Sequence, residues 1–229
     1  MKFGFIVYPQ MQLMDLVGPV EVLNIWRKLN PELEIVYIAE NLLPIDCRSG
    51  FSLQATYTFS EAPQLDYMCV PGGMGRLKEM HNPQTLQFIQ KQFAGCKLVA
   101  SVCTGAFLLY SSGVLTNHEV TTYWMAMPEL TDKNDITISE KRVVKSGKVW
   151  TSGGVSSGID LMFEVICEIA GESMAGQVQL LFEYFPSNRI YCTHADVNKL
   201  PKYPTEKSGS VRHLPEYMDK VIQGIISKS

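Results

Sequence analysis

The chain has 229 residues, 46% of them hydrophobic, which is enough for one large domain with a well-buried core. Its formal net charge is −3 at pH 7 and Lys and Arg form no block, so the basic footprint that nucleic acid demands is absent. No apolar run is long enough to span a bilayer, and Phe3 to Tyr8 is too short for a secretory signal core, so a cytoplasmic protein without a membrane partner is expected.

In chain order, Phe3 to Tyr8 is continuously apolar, the signature of a central parallel strand covered on both faces. A loop holding Asp15 comes next, and Val17 to Arg27 then places Val20, Leu23 and Trp26 on one helical face. Leu33 to Ala39 returns to strand character and completes a βαβ unit. Ile45 to Leu53 turns at Ser49-Gly50 as a small hairpin. Tyr67 to Val70 is a buried strand stopped by Pro71-Gly72-Gly73, and Pro83 opens a helix reaching Phe93. Lys97 to Val102 is the next strand and Thr104 to Ser111 the next helix, with Gly113 placed to end it in a left-handed conformation. Glu119 to Thr122 reads as a short strand. Arg142 to Lys145 and Val149 to Ser152 flank the hairpin turn Ser146-Gly147. Two helices come after it, Ser157 to Ala170 and Met174 to Phe185. Beyond Pro186 the pattern weakens through Pro201 and Pro204 until Met218, Val221, Ile222 and Ile225 restore helical spacing. The expected organisation is an α/β domain over residues 1–186 and an extension over 187–229, whose terminal helix packs on the core or on a partner subunit. Alternating strands and helices predict an open, mostly parallel sheet with helices on both faces, which binds ligands at the carboxyl ends of its strands.

Three glycine-rich or strained turns succeed three of these strands: Pro71-Gly72-Gly73, Ser101-Val102-Cys103-Thr104-Gly105 and Ser152-Gly153-Gly154. The middle one has the small-x-nucleophile-x-Gly spacing of a nucleophile elbow. A thiol on such a turn points into the cleft, and the helix N-terminus behind it favours thiolate. Cys103 is therefore the candidate nucleophile. The other five cysteines, Cys47, Cys69, Cys96, Cys167 and Cys192, show no metal spacing and read as free thiols in a reducing compartment. Gly72 and Gly73 are either a plain turn or backbone donors that, with the Thr104 N–H, stabilise developing negative charge. Two roles are open to Asp15: helix capping, or a carboxyl facing Cys103 that exchanges a proton during addition.

The segments Asp15-Leu16-Val17-Gly18-Pro19, Cys69 to Gly73, Ser101 to Leu109 and Gly153 to Asp160, in this order, resemble the ThiJ/PfpI superfamily and, within it, the isonitrile hydratases. The resemblance covers about residues 3 to 185. It implies a flavodoxin-like fold, a homodimer, a small-molecule substrate, no cofactor, and hydration of an isonitrile to an N-substituted formamide by a lyase. Carried over by motif, Cys103 would attack the isonitrile carbon, Asp15 would manage the proton, Thr104 would orient the thiolate or the water, and Gly72, Gly73 and Gly154 would bind substrate. One position departs from the pattern: relatives often carry Thr-Thr-His-Trp where this chain has Thr121-Thr122-Tyr123-Trp124. A Cys-His dyad is then unavailable there, which counts against a glyoxalase, protease or amidase. His81, His118 and His213 read as surface loop residues. His194-Ala195-Asp196 is only superficially like the His-x-acid pair of class I glutamine amidotransferases, because it lies in the irregular tail. The rival reading is a ligand- or oxidation-sensing module. AraC-type regulators share the elbow but continue into a helix-turn-helix domain, and about forty residues after Tyr184 are too few for one.

Overall fold

The computed structural model describes residues 1–186, 190–192, 194–200 and 213–226. The chain opens with β1 (Lys2–Ile6), α1 (Leu13–Leu29) and β2 (Glu34–Ala39), then the short strands β3 (Ile45–Asp46), β4 (Ser52–Leu53) and β5 (Tyr57–Thr58). β6 (Tyr67–Val70) leads to α2 (Arg76–Glu79), α3 (Pro83–Gly95) and β7 (Leu98–Val102). A 3-10 turn, Cys103–Gly105, runs into α4 (Ala106–Ser111), and β8 (Glu119–Val120), a second 3-10 turn at Trp124–Ala126, α5 (Pro128–Thr131) and β9 (Thr137–Ile138) come next. The hairpin β10 (Val143–Ser146) and β11 (Val149–Ser152) precedes α6 (Ser157–Ala170), α7 (Glu172–Leu181), α8 (His194–Val197) and α9 (Glu216–Ile226).

Seven strands form one sheet in the order β10-β11-β7-β6-β1-β2-β5. Every pairing is parallel except β10 with β11, as in a flavodoxin-like α/β fold. The continuous apolar runs sit where they must: all four residues of β6, all five of β7 and all four of β11 are buried, because helices cover both faces. In register, Val70 lies beside Ser101, and Ser152 beside Val102, so the carboxyl ends of β6, β7 and β11 reach one edge together. The three glycine-rich or strained turns therefore converge.

One local expectation is corrected, and one element is added. Asp15 is not in a loop; α1 begins at Leu13 and carries Asp15 in its first turn, running on through Gly18-Pro19. Tertiary contact explains the continuation. The missing Cβ of Gly18 lets Ile159 of α6 approach, where an added Cβ would lie 3.2 Å from its Cγ1. Pro19 packs against Gly158 in the same crossing, with its Cγ 3.0 Å from a Cβ added there. The added element is the four-residue α2, too short to show helical periodicity in sequence. The tail through Pro201 and Pro204 lies outside the described residues. C-terminal to that tail, Leu214 and Ile222 are buried and the Glu216 N–H donates to Glu140 Oε2 at 2.7 Å.

Gly113 has φ +77, the left-handed stop expected from the sequence, and a Cβ added there would meet nothing within 4 Å. The cost of Gly113→Ala is then conformational alone, about 1–2 kcal/mol. Urea unfolding should show that loss with an unchanged m-value; a neutral substitution would mean that the turn relaxes.

Candidate active site

β7 lies between β6 and β11, and the chain must leave it sharply to begin α4. Cys103 makes that turn at φ +56, a conformation strained for any residue with a side chain. Three contacts hold it. The Cys103 N–H donates to Gly153 O at 2.8 Å, and its carbonyl accepts from Thr122 Oγ1 at 2.7 Å. Gly105 passes so near β6 that a Cβ there would lie 2.0 Å from Val70 O. Ser101, the small residue before the turn, is fully buried in the strand. Cys103 is left 6% exposed at the floor of a cavity of about 510 Å³.

Asp15 faces it. Its side chain is fully buried, and Oδ2 accepts the Gly72 N–H at 3.0 Å. Oδ1 makes no geometrically complete hydrogen bond, and the Cys103 thiol is the other polar group that addresses the carboxyl. Burial pushes the Asp15 carboxyl up to about 7, against the pull of the Gly72 N–H and the thiol. Burial, then repulsion from Asp15, pushes the Cys103 thiol up to about 12, although the backbone N–H groups of Thr104 and Val155 face the sulfur and pull the other way. Burial and Asp15 therefore oppose the pull toward thiolate expected of a helix start and hold the resting sulfur toward the thiol form. A helix end is worth about 0.3–1 kcal/mol, less than one pKa unit, whereas burial shifts a group by several.

The expected roles of the neighbouring residues change in detail. The Gly72 and Gly73 N–H groups are not free donors, because Gly72 serves Asp15 and Gly73 donates to Thr104 Oγ1 at 2.9 Å. What these glycines supply is space: a Cβ on Gly72 would lie 2.5 Å from Thr104 N, and one on Gly73, at φ +134, would lie 2.3 Å from Gln12 N. The Thr104 hydroxyl is turned toward Gly73, so only its backbone N–H addresses the sulfur. Gly154 lies under Tyr123, where a Cβ would come within 2.6 Å of the ring Cδ2. Tyr123 lines the cavity with Gln12, Met74, Leu77, Met125 and Val155, and its hydroxyl donates to Met125 Sδ at 3.0 Å. No histidine lines it among the described residues.

Four residues contribute in ways that the sequence does not reveal. Thr122 stands in the Thr121-Thr122-Tyr123-Trp124 segment, but nothing local signals its bond to an elbow 19 positions earlier. Val155 lies in the Gly153 to Asp160 segment, but nothing there signals its φ of +43. In the cavity wall one terminal nitrogen of Arg76, Nη2, donates to both carboxylate oxygens of Glu129 at 2.6 and 2.7 Å, and the guanidinium carbon lies 3.9 Å above the Phe107 ring. No signal joins them, because they stand 53 positions apart. Asp196 of α8 pairs with Lys199 at 3.2 Å. No group of three His, Cys, Asp or Glu fit to hold a metal ion occurs among the described residues, and none of their helices is long and apolar enough to cross a membrane.

Asp15 titrates near 7 in the folded chain, above its ordinary value of 3.8. The folded state therefore holds the extra proton between those values, and the stability this contributes is full below about pH 4 and lost as pH rises through about 7. At pH 8 the buried carboxylate costs up to about 4 kcal/mol. Asp15→Asn removes the titration, so its stability should gain on wild type as pH rises from 4 to 8 in urea unfolding; parallel curves would show that Asp15 ionises normally.

Residues 1–168 match the model of the DJ-1/PfpI family. An isonitrile hydratase of Pseudomonas putida is 37% identical over 187 residues, which cover 82% of this chain and 80% of that protein. The HTH-type transcriptional regulator CdhR of Pseudomonas aeruginosa is 23% identical over 82% of this chain, and the match spans only 55% of the regulator. Among solved structures, a ThiJ/PfpI family protein from Pseudomonas syringae superposes with a TM-score of 0.76 at 26% identity, covering 99% of this chain and 86% of that one. An elbow cysteine on a parallel sheet and a family match over residues 1–168 lead to one conclusion: the chain belongs to the DJ-1/PfpI family.

Proposed function

We propose that the protein hydrates an isonitrile to an N-substituted formamide through Cys103. The observation that carries this reading is the buried Asp15–Cys103 pair in a cavity whose described lining holds no histidine. The 37% identity to an isonitrile hydratase supports the substrate class. At neutral pH the pair holds one proton more firmly on sulfur and another loosely on Asp15, so the reactive form is carboxylate beside thiol.

Asp15 takes the thiol proton as sulfur bonds to the terminal isonitrile carbon, and returns that proton to the same carbon. The product is a thioimidate, with the carbon now joined to hydrogen, sulfur and the imine nitrogen. The Asp15 carboxylate then takes a proton from water as its oxygen adds to this carbon, and delivers the proton to nitrogen. Collapse of the adduct breaks the carbon–sulfur bond. The hydroxyl proton returns through Asp15 to sulfur, and the formamide leaves. Water is consumed once, every proton is accounted for, and neither a cofactor nor protonation of an amine leaving group is required. A carboxyl poised near 7 suits both the accepting and the donating half of this cycle. The Thr104 and Val155 N–H groups support the sulfur while it carries charge. Met74, Leu77, Tyr123 and Met125 offer an apolar wall to the substituent on nitrogen. A cytoplasmic homodimer belongs to the same reading.

The similarity to the CdhR regulator favours, as a second reading, a ligand-binding member without turnover. Peroxide sensing has less support, because a thiol held at about 12 offers little thiolate to oxidise.

Formamide production from a simple alkyl isonitrile, monitored by NMR, separates the two. Wild type should turn over, Cys103→Ala should fall below detection, and Asp15→Asn should lose about 10²–10⁴-fold. The wild-type rate should fall as pH drops below about 7, where Asp15 gains the proton that stops it from accepting another. Absence of turnover across several isonitriles, from folded protein with a titratable Cys103 thiol, would leave the binding reading.

A further inference from the structure

Outside the cavity, a set of hydrogen bonds converges on Arg142, the residue before β10. Its carbonyl accepts the Gly153 N–H at 2.9 Å, and the Gly153 carbonyl accepts the Cys103 N–H at 2.8 Å, so a short backbone relay joins Arg142 to the elbow. The side chain grips the far end of the same turn. Nε donates to Asp160 Oδ2 at 2.6 Å, and a terminal nitrogen donates to Ser156 Oγ at 3.1 Å. Asp160 stands in the first turn of α6 and is fixed from its other side, where Oδ1 accepts the Tyr184 hydroxyl at 2.8 Å. The Tyr217 hydroxyl of α9 also lies against this guanidinium and close to Gly153.

Between these two grips is Val155. It holds φ +43, a conformation that a β-branched residue adopts only when its surroundings impose it. Its N–H is one of the two that face the Cys103 sulfur. The Thr104 N–H belongs to the elbow and moves with it, whereas the Val155 N–H comes from a different loop and must be placed by something else. Arg142 is the residue that bonds to both ends of that loop.

We propose that Arg142 is a positioning residue for Cys103: by holding Gly153 through its backbone and Ser156 and Asp160 through its guanidinium, it keeps the strained Val155 turn in place and the Val155 N–H on the sulfur. The proposal rests on Cys103 as the reacting group but not on the substrate being an isonitrile. The side chain whose charge bears on the thiol is Asp15 from α1; Tyr8 after β1 and Tyr123 from the cavity wall are instead groups that a Cys103 thiolate would push up. Arg142 is none of these, so its influence runs through geometry.

The test is the pH dependence of Cys103 alkylation by iodoacetamide, read by mass spectrometry on the Cys103 peptide so that exposed Cys192 does not contribute. Arg142→Gln should slow the reaction at pH 8 about tenfold and move the profile up by about one pH unit, which is the same change expressed two ways. Ser156→Ala, at an exposed position whose side chain makes no cap hydrogen bond to α6, should move it in the same direction by less. Arg142→Lys should fall between wild type and Arg142→Gln, because an ammonium can keep the Asp160 contact but not the forked pair. Lys145→Gln, which removes the neighbouring β10 ion pair to Glu164 at 2.6 Å, should leave the profile unchanged. Coincident profiles for wild type, Ser156→Ala and Arg142→Lys would overturn the proposal, even if Arg142→Gln lowered the melting temperature or failed to fold. A shifted profile with no formamide from any isonitrile would retire the hydratase reading and leave this one standing.

Discussion

The site depends on one strained peptide, the left-handed Cys103 at the end of a fully buried strand. A β-strand that ended in ordinary geometry would direct its next side chain along the sheet face; the φ of +56 instead turns the sulfur toward the cavity and starts a helix at once. Such a conformation persists only when neighbours impose it. Here the neighbours come from both sides of β7 in the sheet. Val70 O of β6 leaves room for nothing larger than Gly105, while Gly153 O after β11 and Thr122 Oγ1 fix the two ends of the Cys103 peptide. Strand order is thus a chemical fact as much as an architectural one.

The same turn decides the electrostatics. A thiol at a helix start in water would ionise more readily, but at 6% exposure burial outweighs the helix end and Asp15 adds repulsion. The result is a pair of acids that resist ionisation together, with the carboxyl giving way first. In the proposed cycle, Asp15 is accordingly the group whose protonation changes near neutrality, and sulfur is charged only while it reacts. The Gly72 N–H, committed to Asp15, keeps the carboxyl from rising further.

The elements legible in sequence are those with a local physical cause. Continuous apolar runs identify β1, β6 and β7 because a strand covered on both faces needs no alternation. Gly113 and Gly147 appear where positive φ is required, at +77 and +57. Cys103 is legible because small residues must flank an elbow. Asp15 draws notice in the sequence but in the wrong setting, as a loop residue before a helix from Val17, whereas the helix starts at Leu13 and α6 packs against its Gly18-Pro19 stretch. The free N–H groups expected of Gly72 and Gly73 fail for a related reason: a sequence shows that a backbone can turn, not which acceptor is already there.

By itself, then, the sequence determined the alternation of strands and helices, the elbow and its cysteine, because sterics and burial write those into neighbouring residues. Tertiary structure alone decided the rest. It brought Asp15 to Cys103 across 88 positions of chain, set their order of ionisation by burial, and bound the elbow to Thr122 and Gly153. It also gathered Arg142, Ser156 and Asp160 around Val155. Desolvation and long-range hydrogen bonds depend on what the folded chain places around a group, and no run of adjacent residues records that.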